Sequence, residues 1–208
     1  TLKNLKTFLI DAGAFELSYA SDISRTYAKE KTCPEVFYFL LKEMEKIQLE
    51  LCDQVFTGVS FFELNKQAHL KLAKLLLEAE ILKSATPEEA LKKELTQTFF
   101  PHGLGHMLGL QVHDVGGLQK NAEGDQPERR KDYPNLRAAR PLRSHEVITI
   151  EPGLYFIPLL LEEAFSSKNK THYNQKLCSE LITCGGIRIE DNLLVNEKKS
   201  LNLTRLYL

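Results

Sequence analysis

Phe8-Leu9-Ile10-Asp11-Ala12-Gly13-Ala14 is followed, seven residues later, by Ser21-Asp22-Ile23-Ser24-Arg25-Thr26. Each stretch is apolar or β-branched and each carries an aspartate. They read as two strands, Leu5 to Ala12 and Ile23 to Lys29, joined by a loop that contains Gly13. If the two pair as a hairpin, Asp11 and Asp22 lie across from each other with Cα atoms ~5 Å apart. Two carboxylates that close repel.

Two more acids sit in the same kind of surroundings. Glu151 ends the strand Val147-Ile148-Thr149-Ile150-Glu151 and is followed by Pro152-Gly153. Glu190 lies in a strand over Ile187 to Val195, where a period of two puts Arg188 and Glu190 on one face and Ile187 and Ile189 on the other. A single acid at a strand end is most often a solvated edge charge. Four that share an interior would carry a charge of about −4, and burying even one unpaired carboxylate costs several kcal/mol. A pair of divalent cations ~3.5–4 Å apart answers that electrostatic problem. Oxygen-rich ligation with one imidazole suits manganese, cobalt or zinc better than copper.

The imidazole is sought in Phe100-Pro101-His102-Gly103-Leu104-Gly105-His106. This is not the HExxH zinc motif, because Gly103 stands where the glutamate belongs. Two glycines in three residues cost ~1 kcal/mol each inside a helix, so the segment reads as a loop that approaches a site closely. A lone histidine is usually structural, but His102, His106 and His113 fall within twelve residues and make up half of the six in the chain.

Between the strand-rich ends the sequence is helical. One helix runs from Pro34 to about Gln54, with Phe37, Leu40, Leu41, Met44, Ile47 and Leu51 at helical spacing. A second fits Phe62 to Leu82, and a third starts at Thr86, where Pro87 and Glu89 complete a capping box, and ends near Thr98. Gly116 to Glu146 is a long polar loop, and Ser166 to Lys176 a polar insertion. The fold class is α+β, with sheet at both ends of the sequence and helices packed on one side.

Composition narrows the function. With 208 residues, 43% hydrophobic and 26% charged, the chain can bury a core without disulfides or metal. Lys plus Arg total 27 against 28 for Asp plus Glu, so nothing in the charge balance suits a nucleic-acid partner. No apolar run approaches the ~20 residues of a membrane span. Cysteines 33, 52, 178 and 184 form no CxxC pair, which argues for reduced thiols and a cytoplasmic location.

The blocks around Asp11, Asp22, His102–His106, Ile150-Glu151-Pro152-Gly153 and Gly186-Ile187-Arg188-Ile189-Glu190-Asp191, in that order and with ligand spacings of 11, 84, 45 and 39 residues, resemble the proline-specific metallopeptidases of pita-bread fold. Within that group the sequence is most similar to bacterial-type Xaa-Pro dipeptidases, or prolidases, and the likeness runs from about Leu9 to Val195. It implies that Asp11 and Asp22 bind one metal and that Asp22, His106, Glu151 and Glu190 surround the other. It further implies that a water activated between the metals attacks the carbonyl before a C-terminal proline, that Glu151 shuttles the proton, and that His113 stabilises the oxyanion. Arg137 is placed at the proline carboxylate, a task for which the planar guanidinium is suited. Read from its own surroundings, Arg137, like Arg140, is a solvent-facing loop charge. His102 and Arg188 are supporting residues behind the ligands.

The resemblance implies two divalent ions, manganese first with cobalt and zinc as alternatives, an Xaa-Pro dipeptide as substrate, and a homodimer. Members carry an N-terminal domain, then helices and a strand bearing another active-site histidine ahead of the first aspartate. Ten residues precede Asp11 here. Residues 1–208 are therefore expected to form a single catalytic domain, the C-terminal part of a longer two-domain protein, lacking the first helices and strand of the fold. Aminopeptidase P-like and organophosphate-hydrolysing activities share the ligand set, and a binding module that keeps the fold without catalysis is the alternative from another class.

Overall fold

A computed structural model describes residues 5–119, 121, 123–125, 132–138 and 140–206. The first expectation it alters is the hairpin register. Strand β1 (Thr7–Ala12) pairs antiparallel with β4 (Ile23–Ala28), and between them β2 (Phe15–Glu16) pairs with β3 (Tyr19–Ala20). The turn is Leu17-Ser18, both at positive φ (47° and 70°), as tight two-residue hairpin turns demand. That turn sets one register for the whole hairpin: Asp11 faces Ser24, and counting inward Asp22 faces Gly13. The two aspartates are thus diagonal neighbours on one face rather than a directly opposed pair. Gly13 is required there, because a Cβ would lie 1.9 Å from the carbonyl oxygen of Ser21.

The second strand system is also a hairpin-like ladder with one register. Strand β5 (Val147–Ile150) pairs with β8 (Asp191–Leu194), and β6 (Gly153–Tyr155) pairs with β7 (Gly186–Arg188). Ile150 faces Asp191 and Gly153 faces Arg188, so the interrupted positions between them put Glu151 opposite Glu190. The expected single strand from Ile187 to Val195 is split at these acids. A short β9 (Leu201–Asn202) extends β8 on its far side.

Neighbours close in on both flanks of this ladder. Residues 104–108 run beside β5, with Glu151 N donating to Leu104 O (2.8 Å), Thr149 N to His106 O (3.0 Å) and Leu108 N to Val147 O (2.9 Å). On the other flank Glu190 N donates to Ser24 O (3.0 Å), which ties the ladder to β4. Close approach at the first flank depends on Gly105, whose Cβ would lie 2.0 Å from Thr149 O.

Helix α1 (Glu35–Cys52) lies against β5 and β7 and buries Phe37, Leu40, Met44, Ile47 and Leu51, the stripe its spacing foretells. Pro34 is the residue before the helix, not its first. Helix α2 (Phe61–Glu78), capped by Ser60, packs on α1 and on α3 (Pro87–Lys92). The Thr86/Glu89 capping box forms as read, but α3 stops at Lys92 because Glu94 turns left-handed (φ 57°), and a 3-10 turn Leu95–Thr98 completes the segment. Two further helices were not read from the sequence: α4 (Pro158–Ser166), at a short apolar run, and α5 (Gln175–Leu181), which starts at the end of the polar insertion and runs beyond it. Of the loop from Gly116 to Glu146, residues 120, 122, 126–131 and 139 lie outside the described residues. The apolar side chains buried from these elements form one cluster.

Gly105→Ala is expected to lower stability by about 1–3 kcal/mol, since the methyl must displace strand backbone. Urea denaturation of the purified variant measures it; an unchanged midpoint would mean that the flank is free to move.

Candidate metal centre

Four neighbouring backbone segments each deliver one side chain to the same place. Residues 104–108 bring His106, the end of β5 brings Glu151, the β7–β8 junction brings Glu190, and the start of β4 brings Asp22. One ligand atom from each of Asp22, His106 and Glu190 lies within 4.8 Å of the others. His106 Nε2 is 3.5 Å from Asp22 Oδ2 and 3.5 Å from Glu151 Oε1. Its Nδ1 is 3.0 Å from the carbonyl oxygen of Met107. A carbonyl can only accept, so Nδ1 carries a hydrogen and Nε2 faces the acids.

The nine residues singled out in the sequence line one cavity of about 290 Å³: Asp11, Asp22, His102, His106, His113, Arg137, Glu151, Arg188 and Glu190. They differ in depth. His106 and Glu190 are buried, Asp22, His102, Glu151 and Arg188 partly so, and Asp11, His113 and Arg137 are exposed at the mouth. Asp11, beside Asp22 but not one of the three-residue cluster, is ion-paired with Arg188. The His113 ring meets His106 edge-on at 4.3 Å. Arg140, by contrast, is committed elsewhere, gripping Glu146 with both Nη atoms (2.6 and 3.1 Å).

Several supporting residues were not legible as such. Ser24 donates to Glu190 Oε2 (2.8 Å) and accepts from Arg188 Nε (2.9 Å), so Arg188 orients Glu190 through a hydroxyl. Arg188 Nη1 also donates to Tyr155 Oη (3.2 Å), which is 2.9 Å from His102 Nε2. His102 Nδ1 is occupied by Gly103 O at 2.8 Å, leaving Nε2 to accept from the tyrosine. Asn192 holds the Asp22 backbone from both sides, accepting from its N (3.2 Å) and donating to its O (2.8 Å). The available signal was position: Ser24 and Thr149 stand two residues from Asp22 and Glu151 and share their faces.

Charge crowding shows in the acidities. Burial, together with Glu151 and Asp22, pushes Glu190 up to about 8. Burial raises Glu151 to about 7, with Asp22 adding to the effect against the pull of His106 and Arg188. Burial works against both partners of the Asp22–His106 contact, yet that contact prevails: Asp22 is lowered and His106 raised. Burial holds His102 at about 4, hence uncharged. Among the described residues, Glu190 Oε1 is a buried oxygen without a hydrogen-bond partner. A carboxylate oxygen left bare, beside an imidazole nitrogen and a second carboxylate, fits a divalent cation in both charge and donor type.

The family model of metallopeptidase family M24 matches residues 1–197. The chain belongs to metallopeptidase family M24. Xaa-Pro dipeptidases of Shewanella woodyi and Shewanella amazonensis are 44% and 45% identical to it over 199 and 202 residues. Those matches cover 96% and 97% of this chain and 44% and 45% of the relatives, so the chain spans less than half their length. Among solved structures, zinc-substituted Escherichia coli aminopeptidase P in complex with product is similar at a TM-score of 0.69 and 26% identity, over 97% of this chain and 38% of that one. Proline aminopeptidase P II from Yersinia pestis has the same fold, with a TM-score of 0.71 at 24% identity, over 97% of this chain and 39% of that one. The M24 chain thus has the pita-bread architecture expected of it. No helix among its described residues is long and apolar enough to cross a membrane.

The shifted groups give the metal-free protein a pH dependence. Glu151, Glu190 and His106 all bind protons more tightly folded than unfolded, so the stability they contribute is complete at low pH and lost as pH rises through their folded values. His69 and His102, both lowered to about 4, act in the opposite sense only below their ordinary value of 6.5. From about pH 6.5 to 8.5 the chelated protein is therefore expected to lose thermal stability, and Glu190→Gln to flatten the decline. Calorimetry in the presence of a chelator reads both; a melting temperature that rises over this range contradicts the assignment.

Proposed function

We propose that this chain carries the metal centre of a cytoplasmic peptidase that hydrolyses Xaa-Pro dipeptides at the bond before a C-terminal proline. The observation that carries the proposal is the convergence of Asp22, His106 and Glu190 around a bare carboxylate oxygen. Two divalent ions are assigned, manganese first, with cobalt and zinc as alternatives. Asp11 and Asp22 would hold one, and Asp22, His106, Glu151 and Glu190 the other, with Asp22 and Glu190 shared. When bound, such ions polarise a carbonyl and make water a nucleophile at neutral pH.

The remaining steps belong to side chains. Glu151, 3.5 Å from His106 at the end of its strand, would take a proton at its carboxylate and return it to the departing proline nitrogen. The His113 ring projects at the cavity mouth beside His106 and would hydrogen-bond the carbonyl oxygen as it gains charge. Arg137, at the cavity mouth with His113, would receive the proline carboxylate. Arg188, through Ser24, would hold Glu190 in place, and the uncharged His102 ring stands beside Glu151, 4.0 Å away. A cavity of about 290 Å³ is at the small end of ligand pockets and suits a dipeptide.

An aminopeptidase P-like activity is the second reading, favoured by the likeness to the solved aminopeptidase P structures. The two part at the substrate's C-terminus: a dipeptidase needs the free proline carboxylate, an aminopeptidase P accepts an extended chain. The test is turnover of Ala-Pro against Ala-Pro-Ala with manganese, on this chain and on a form extended at its N-terminus. Preference for Ala-Pro supports the dipeptidase. Glu151→Gln is expected to lower kcat at least 100-fold with little loss of folding, and retained turnover would rule out its proton role. Arg137→Ala should raise KM for Ala-Pro at least tenfold with less effect on kcat; an unchanged KM rules out the carboxylate contact.

A further inference from the structure

One face of α2 reaches both loops that form the outer wall of the cavity. Phe62, Asn65 and His69 are three, four and seven residues apart and so stack on one side of the helix. Asn65 Oδ1 accepts from Leu104 N (2.9 Å), which fixes the loop carrying His102 and His106. The His69 ring stacks on Tyr133 (4.9 Å between centroids, 29° between planes) and lies 4.9 Å from Phe100. Phe62 meets the same tyrosine edge-on at 5.7 Å. The segment from Asp132 to Leu136, which leads directly into Arg137, is thereby pinned to α2.

Other contacts register the two loops to each other. Gln97 Nε2 donates to Asp132 O (3.0 Å), and Asn135 Nδ2 donates to Pro101 O (2.9 Å). A Cβ at Gly103 would stand 3.0 Å from Leu136 Cα, so the backbones touch there. His69 is buried, shares a hydrogen bond with Thr96 Oγ1 (2.9 Å) through Nδ1, and touches neither the metal cluster nor the cavity. Burial lowers it to about 4, so the ring is a neutral plate at working pH.

We propose that His69 is a positioning residue: by its stack with Tyr133 it sets Arg137 at the distance from the His102–His106 loop that a bound proline carboxylate requires. This rests on the reading of Arg137 given above. It explains why a histidine is buried on this face of α2, with Phe100 on one loop and Tyr133 on the other.

The test is calorimetric titration of the manganese-loaded chain with L-proline and with L-prolinamide, which lacks the carboxylate. His69→Ala is expected to weaken L-proline binding about tenfold, leaving L-prolinamide and manganese affinities unchanged. His69→Phe, which keeps a flat ring, should retain most of the affinity. Tyr133→Leu removes the other half of the stack at a partly exposed position and carries the test if His69→Ala does not fold. Combined with Arg137→Ala, either change should add nothing. Wild-type affinity in both His69→Ala and Tyr133→Leu, or equal losses for proline and its amide, overturns the proposal. If Arg137→Ala alone leaves proline binding unchanged, or the unmodified chain does not prefer proline to its amide, the carboxylate reading fails and the positioning role fails with it.

Discussion

Glu151 and Glu190 face each other across one antiparallel ladder, and Asp22 arrives from the strand beside Glu190. Like charges set opposite each other in a sheet destabilise it, and burial multiplies the effect. Nothing in the register lets the pair separate, because the hydrogen bonds on either side fix it. Protons can relieve that cost: burial, with Asp22, raises Glu151 to about 7, and burial, with Glu151 and Asp22, raises Glu190 to about 8. A divalent cation relieves it more completely, and the bare Oε1 of Glu190 is the place left for one. The rest of the site follows from that constraint: Ser24 and Arg188 steady Glu190, Thr149 and His102 flank Glu151, and Asn192 holds Asp22.

The sheet does this work with few special residues. Three of the ligands stand at the edges of paired strands and the fourth, His106, on a loop hydrogen-bonded along β5, so their spacing is set largely by the spacing of backbones in the sheet. Where strands must approach more closely than a side chain allows, glycine stands in the gap, at Gly13 beside Ser21 and at Gly105 beside Thr149. The helices supply the opposite face: α1 packs its apolar stripe on the ladder, and Gln48 reaches the carbonyl oxygen of Ile150 next to Glu151 (3.4 Å). A rigid backing of this kind is what holds repelling groups in place.

Much of this was legible because acids in apolar strands are conspicuous. The four acids, the histidine loop and the capping box at Thr86 could each be read from residue type and spacing, and the resemblance picked out His106 within that loop. The resemblance to pita-bread peptidases added Arg137, which by itself looks like a surface charge, and gave His113 of the histidine cluster its role. What could not be read depends on pairings between distant segments. The diagonal offset of Asp11 and Asp22 comes from the Leu17-Ser18 turn, where neither residue is the glycine or asparagine that a positive φ favours. Ser24, Tyr155 and Asn192 acquire roles only once β4, β6 and β8 lie side by side. Helix α4 begins at a proline after a short apolar run, and periodicity cannot tell such a run from a strand.

The most direct measurement is the anomalous scattering of crystals grown with manganese. The account expects signal at bonding distance, about 2.1–2.3 Å, from Asp22, His106 Nε2 and Glu190. Crystals saturated with manganese that bind it elsewhere, with no signal between those three side chains, would contradict it.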